Sequence, residues 1–206
     1  MSTMIVDYGM SNLGSIRRAV EECGADVFVS GSPSDIETAE HVILPGVGAF
    51  PDGMRNLREA GFESALKKAV SDGVPLLGIC LGMQLLSTRG YEEGVCEGLN
   101  LIPGEVRLLV SRNGEDRVPH VGWNDLRKVR DSPILENVPG GSDFYFVHSY
   151  HLVPEHSGDV LAETDYCGGF ACVFGRGNVF GTQFHPEKSG GMGFRILRNF
   201  LNYHSR

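Results

Sequence analysis

Two short stretches carry residue types that could do chemistry together. The first is Gly78-Ile79-Cys80-Leu81-Gly82, a nucleophile with glycine two residues to either side. It follows the apolar run Val74-Pro75-Leu76-Leu77 and precedes a second run, Met83-Gln84-Leu85-Leu86, suited to a helix. Strand, cysteine and helix in that order match the nucleophile-elbow pattern. Its tight turn holds the central residue under strain, and a Cβ at either glycine would collide with crossing backbone. An elbow would project the Cys80 sulfur from the carboxyl edge of a sheet and set it at a helix N-terminus whose orphan N–H groups favour a thiolate. It would also leave the Leu81 N–H free for an oxyanion. The pentapeptide alone fits equally a buried cysteine on a core strand, since free cysteine is among the most buried residue types.

The second stretch is Val179-Phe180-Gly181-Thr182-Gln183-Phe184-His185-Pro186-Glu187. Residues two apart on an extended segment point to one side, so His185 and Glu187 share a face, and Pro186 fixes the φ between them. A carboxylate beside an imidazole selects its tautomer and steadies the imidazolium, as the third member of a triad does. His-Pro-Glu by itself also fits an exposed turn after a strand, and His120, His148 and His151 are other candidate bases. A third stretch, Pro45 to Gly53, is a glycine-rich loop without a Walker lysine or a dinucleotide fingerprint. Glycines on either side of Val47 allow close backbone approach and a peptide flip. The N–H groups of Val47 and Gly48 are therefore candidates for a second oxyanion donor, against the alternative of an ordinary strand-to-helix turn.

These stretches need a scaffold that brings them to one edge. Short strands at Met4–Val6, Val27–Val29 and His41–Leu44 alternate with helical patterns. One helix is expected from Ser11 or Asn12 to about Cys23, with Gly24 as its stop, and a short one capped by Ser34. Another helix, about Met54 to Ser71, is broken near Gly61. Such β-α-β alternation predicts a parallel sheet with helices on its faces. From Tyr91 the pattern changes to short runs split by turn residues: 101–110, 117–121, 125–129, 144–147, 150–153, 160–163, 171–174 and 179–183. Several of these must be antiparallel, because the links are too short for crossovers. Asn113-Gly114 is a hairpin signal. A final helix, about Gly191 to Asn202, buries Phe194, Leu197, Phe200 and Leu201. The fold class is α/β: a mostly parallel central sheet flanked by helices, with additional antiparallel strands in the C-terminal half. No linker or repeat divides residues 1–206, so one domain is expected.

Composition bounds the function. The 206 residues carry a net charge of −8, with 41% hydrophobic and 21% charged residues. That balance suits a soluble globular protein and argues against non-specific nucleic-acid binding. Five cysteines without a C-x-x-C pair suggest reduced thiols in the cytoplasm and no zinc site. No signal peptide and no membrane span are expected.

Taken together, these stretches resemble the class I (triad) glutamine amidotransferases over essentially the whole chain, which implies a flavodoxin-like sheet. More narrowly, six segments are similar to the glutaminase subunits of imidazole glycerol phosphate synthases. They begin at Val6-Asp7-Tyr8-Gly9, Leu44-Pro45-Gly46, Gly78-Ile79-Cys80, Pro119-His120-Val121-Gly122-Trp123-Asn124, Tyr145-Phe146-Val147-His148-Ser149-Tyr150 and Gln183-Phe184-His185. The Asp-Tyr-Gly and Gly-Trp-Asn segments are the specific ones, while Ser11 and Gly14 depart from the usual pattern. The resemblance implies hydrolysis of the L-glutamine side-chain amide by Cys80, His185 and Glu187. Val47, Gly48 and Leu81 would stabilise the oxyanion, and Gln84, His148, Ser149 and Tyr150 would hold the substrate. No metal or cofactor is implied. It also implies a heterodimer with a (β/α)8-barrel cyclase subunit that receives the ammonia, with Asn12, His120, Trp123, Asn124, Tyr145 and Lys188 at the interface. The competing expectations are a γ-glutamyl hydrolase or cysteine peptidase, another amidotransferase, or a silent scaffold subunit.

Overall fold

The computed structural model describes residues 2–111, 114 and 116–204. Its first half alternates strand and helix: β1 (Ser2–Val6), α1 (Leu13–Glu22), β2 (Asp26–Ser30), β3 (His41–Leu44), α2 (Phe50–Glu59), α3 (Phe62–Ser71), β4 (Leu76–Ile79) and α4 (Leu81–Leu85). The second half is strand-rich: β5 (Arg89–Gly90), β6 (Cys96–Glu97), β7 (Gly104–Leu108), β8 (His120–Lys128), β9 (Ser142–His148), β10 (Tyr150–Pro154), β11 (Val160–Thr164), β12 (Phe170–Arg176) and β13 (Val179–Thr182), before α5 (Gly190–Leu201).

Nine strands form the main sheet in the order β2-β1-β3-β4-β13-β12-β11-β8-β9. The first five are parallel, an order of the flavodoxin type, and the remaining pairings are antiparallel. A smaller sheet, β10-β7-β5-β6, lies beside it. The decisive pairing for function is β13 with β4. Thr182 stands opposite Ile79, so the chain leaves both strands at one edge, just before His185 and just before Cys80.

Alternate residues of the parallel strands feed two apolar cores, one on each face of the sheet. Ile5, Ile43, Leu77 and Ile79 face Ile16 and Val20 of α1 and Ile196, Leu197 and Phe200 of α5. Met4, Val42, Leu44 and Leu76 face Met54 and Leu57 of α2, Leu66 of α3 and Leu85 of α4. Phe194 is only half-buried at the rim of the first core.

Some boundaries differ from the sequence reading. Residues 117–121 and 125–129 are not two strands: β8 runs unbroken through Gly122-Trp123-Asn124, held by pairing with β9 from His120↔His148 to Leu126↔Ser142. The run at 101–110 is strand only at Gly104–Leu108, because Asn100 and Leu101 bond back to the end of α4. The segment near Ile36 is a 3-10 turn, Pro33–Thr38, with Ser32 at its start. Asn12 stands at the N-cap of α1 without a side-chain capping bond. The Asn113-Gly114 hairpin lies outside the described residues at Asn113. Among the described residues, no helix is long and apolar enough to cross a membrane.

Candidate active site

Cys80 occupies a strained turn. Its φ of 53° and ψ of −111° are unusual for a residue with a side chain, and they are imposed by the jump from β4 into α4. The two flanking glycines have a steric cause. A Cβ on Gly82 would lie 1.9 Å from Leu44 O, and one on Gly78 would lie 2.6 Å from Met83 Cα. Backbone bonds pin the turn: Cys80 N–H donates to Thr182 O at 2.8 Å, and Gln84 N–H donates to Cys80 O at 3.1 Å. The helix behind the sulfur is short, only Leu81–Leu85. Its dipole is correspondingly modest, so the polar groups around the sulfur matter more than the helix.

His185 and Glu187 arrive from β13. His185 N–H donates to Tyr145 O at 3.0 Å, and Ser189 Oγ ties the next turn together, donating to His185 O at 2.6 Å and accepting from Tyr145 N–H at 3.0 Å. His185 Nδ1 lies 2.7 Å from Glu187 Oε1, with both side chains at most 3% exposed. Burial alone would push the imidazole down; the nearby Cys80 sulfur, together with the hydrogen bond to and charge of Glu187, overcomes it and carries the ring up to about 9. Its Nε2 has no hydrogen-bond partner, and the Cys80 thiol rests instead 3.8 Å from Val147 O.

A cavity of about 250 Å³ opens over the sulfur. Cys80, His185 and Leu81 line it together with Val47 and Gly48 from the β3–α2 loop. Gln84 and the 147–150 segment close the other side, so His148, Ser149 and Tyr150 also border it. Gln84 Nε2 donates to Tyr150 O at 2.8 Å and to Gln183 Oε1 at 3.2 Å, which spends both its hydrogens and leaves Oε1 for a ligand. Ser149 reaches the cavity while its carbonyl accepts from Leu109 N–H at 2.8 Å.

The oxyanion donors are not free. Leu81 N–H donates to Gly46 O at 3.3 Å, which corrects the expectation of an unspent amide. Val47 N–H donates to Met10 O at 2.7 Å. Gly46 C=O and Val47 N–H belong to one peptide unit, so turning that single peptide would release Leu81 and redirect Val47 at once. Gly48, at φ +114°, gives the loop room to turn.

Two residues of the site escaped the sequence reading. Glu92 lines the cavity and its Oε2 accepts from Phe50 N–H, at the start of α2, at 2.8 Å. It sits in an acidic turn with no periodicity, and only the fold carries it to Cys80. Gln183 is fully buried with Nε2 3.8 Å from Cys80 Sγ. The chain bends at 183–184, so no residue periodicity announces it.

The residues expected at a partner face divide. Asn12 and Lys188 are exposed, and Trp123 is 55% exposed. Tyr145 is half-buried beside Trp123, ring centroids 5.9 Å apart, with Lys188 Nζ 5.9 Å from its ring. Asn124 is half-buried. His120 does not belong with them: it is 1% exposed, stacked on Tyr166 at 3.8 Å and on Phe146 at 4.7 Å. Even positions of β8 turn inward, which the split-strand reading concealed. His148 is also occupied, its Nε2 3.1 Å from His120 Nδ1 and its Nδ1 2.8 Å from Tyr150 O. Among the described residues no group of three or more His, Cys, Asp or Glu could hold a metal ion.

Comparison with known proteins agrees with this geometry. Residues 4–203 match the family model described as glutamine amidotransferase class-I. The chain is 48% identical over 196 residues to the imidazole glycerol phosphate synthase subunit HisH of Moorella thermoacetica, covering 95% of this chain and 92% of that one. It is 50% identical over 210 residues to the protein of that name from Halobacterium salinarum, covering 98% and 93%. In fold it is similar to PurLQS from Thermotoga maritima, with a TM-score of 0.75 at 23% identity over 98% of both chains.

Proposed function

The chain belongs to the class I glutamine amidotransferases, and from that premise we propose that it is the glutamine-hydrolysing subunit of an imidazole glycerol phosphate synthase, with Cys80, His185 and Glu187 as its triad. One observation carries the assignment: a strained cysteine at a strand-to-helix turn shares a cavity with an imidazole whose other nitrogen is 2.7 Å from a buried carboxylate.

With the ring held up to about 9, the proton rests on His185 at neutral pH, and Cys80 is the nucleophile. The sulfur attacks the side-chain amide carbon of glutamine and forms a tetrahedral oxyanion. His185 Nε2–H protonates the departing nitrogen, the C–N bond breaks, and ammonia leaves a γ-glutamyl thioester. Water then loses a proton to His185 and attacks the thioester. Glutamate departs, and the sulfur leaves as thiolate beside the imidazolium. Glu187 fixes the tautomer throughout. Gln84, Ser149 and the backbone of 148–150 hold the substrate. Glu92 supplies the negative charge that a free amino acid's ammonium needs.

Ammonia in water is mostly ammonium, which is not a nucleophile, so the product must pass directly to a second active site. We assign that site to a (β/α)8-barrel cyclase subunit seated against Trp123, Tyr145, Lys188 and Asn12; Asn124, expected there too, shares the inward face of β8 with His120. The spent N–H groups of Val47 and Leu81 support slow hydrolysis by the isolated chain. Each oxyanion donor is worth about 10²–10³ in rate, so freeing both should accelerate turnover in the complex by at least that factor. Equal turnover alone and in the complex would contradict the gating.

The direct test is Cys80→Ala in the complex. Glutamine-driven synthesis should vanish while ammonia-driven synthesis continues. Loss of both, or retention of both, would overturn the assignment.

A further inference from the structure

Gln183 has no part in the mechanism above, yet it is a fully buried polar group within reach of the sulfur. It is 0% exposed. Its backbone N–H donates to Cys172 O at 2.9 Å, and its neighbour Thr182 accepts from Cys80 N–H at 2.8 Å, so the side chain has a fixed origin next to the nucleophile. The chain bends at Gln183 and Phe184 just past β13, and this bend brings both Gln183 and His185 to Cys80.

The orientation of its amide follows from the hydrogen bonds behind it. Tyr150 O can only accept, so the Gln84 atom 2.8 Å away is Nε2. The second hydrogen of that nitrogen meets Gln183 Oε1 at 3.2 Å. Gln183 Nε2 therefore faces Cys80 Sγ, at 3.8 Å. The reverse orientation would set two donors face to face at Gln84 and an oxygen lone pair against the sulfur. Tyr150 O is itself fixed, because it also accepts from His148 Nδ1–H at 2.8 Å.

We propose that Gln183, locked by Gln84, is a further catalytic residue: its side-chain N–H donates to Cys80 Sγ, aims the sulfur and stabilises it as a thiolate, before attack and again as it leaves the thioester. The thiol contact with Val147 O cannot serve that role, since a carbonyl oxygen repels a thiolate. Once the proton sits on His185, Gln183 Nε2 is the side-chain donor already within reach of the sulfur. A hydrogen bond to a charged group is stronger than one to a neutral group, so the contact tightens when the charge forms.

This inference rests on Cys80 being the nucleophile, and the test separates the two. Site-resolved alkylation of the full chain by iodoacetamide, followed by mass spectrometry across pH, reports the thiolate at Cys80 alone among the five cysteines. In Gln183→Met, which keeps length and removes the donor, the midpoint for Cys80 alkylation should rise by about one pH unit. Glutamine kcat/KM should fall by about tenfold at neutral pH, mostly in kcat, and recover at higher pH. Gln183→Glu, with a carboxylate at the sulfur, should move the midpoint further in the same direction. A merely structural role would lower activity without moving the midpoint, and that result would overturn the proposal. If either variant fails to fold, the unaltered protein still decides. The Gln183 side-chain amide resonances should titrate with the Cys80 alkylation midpoint and shift when Cys80 is blocked, and resonances indifferent to both would overturn it. Glutamine hydrolysis that survives Cys80→Ala would instead sink the nucleophile assignment, and this proposal with it.

Discussion

Four of the seven histidines fall into two regions held in opposite charge states. At the sheet edge shared by β4 and β13, His185 is pushed up to about 9 by the nearby Cys80 sulfur and by its bond to the Glu187 carboxylate, although burial opposes it. About the β8–β9–β10 strands, burial pushes His148 down to about 3 and His120 and His151 to about 4. Their surroundings are mostly rings and carbonyls; Asn124 and Asp116 draw His120 upward but do not overcome its burial. His148 Nδ1–H donates to Tyr150 O, which makes its Nε2 the acceptor for His120 Nδ1–H. His120 Nε2 and His151 Nδ1 are buried without partners. Burial is common to both regions, so it cannot be what marks a catalytic histidine. The mark is a carboxylate on one ring nitrogen and a nucleophile near the other.

That contrast can be broken most forcefully by substitution. His185→Ala, assayed in the partner complex, should cost about 10⁵–10⁶ in glutamine turnover, as removal of a triad base does elsewhere. His120→Phe preserves the stack on Tyr166 and Phe146 and should cost less than about tenfold. Comparable losses would erase the distinction. Glu187→Gln should cost about 10⁴, less than the loss of the imidazole. It should also lower the alkaline midpoint of the rate profile, expected near 9 in the unaltered enzyme, where His185 loses the proton needed to expel ammonia. An unchanged alkaline limb in that variant would mean the carboxylate does not hold the ring's charge.

Stability offers the gentlest probe, with opposite signs in the two regions. His185 binds its proton more tightly folded than unfolded. Its contribution is present below about 6.5 and is lost as pH rises through about 9. The lowered histidines work the other way. Between about 6.5 and 4 the unfolded chain binds protons that the folded chain refuses, so stability falls as pH drops through that window. Thermal melts of His151→Phe should show an acid limb shallower by roughly one proton, with the alkaline limb unchanged. A limb identical to that of the unaltered protein would place the acid sensitivity elsewhere.

The sequence exposed the local chemistry of the site and concealed its long-range part. Gly78, Cys80 and Gly82 announce a strained elbow because the strain is local. The β-α-β rhythm of the first half announces a parallel sheet for the same reason. Nothing local says that β13 inserts beside β4, and the link between Cys80 and His185 had to rest on resemblance until Thr182 was seen opposite Ile79. Glu92 and Gln183 come to the sulfur by tertiary packing alone. The resemblance set His120 at the partner face with Trp123, whereas the strand pairing with β9, which residue types alone do not show, turns His120 inward. The commitment of Leu81 N–H to Gly46 O depends on one peptide's orientation, which residue types do not encode.

The central claim, that Cys80 is a glutamine-directed nucleophile served by His185, is tested most directly by labelling with an electrophilic glutamine mimic. Mass spectrometry should find the adduct on Cys80 alone, protected by glutamine and strongly slowed by His185→Ala but not by His120→Phe. An adduct spread over other cysteines such as the partly exposed Cys96, or one formed as fast without His185, would contradict it.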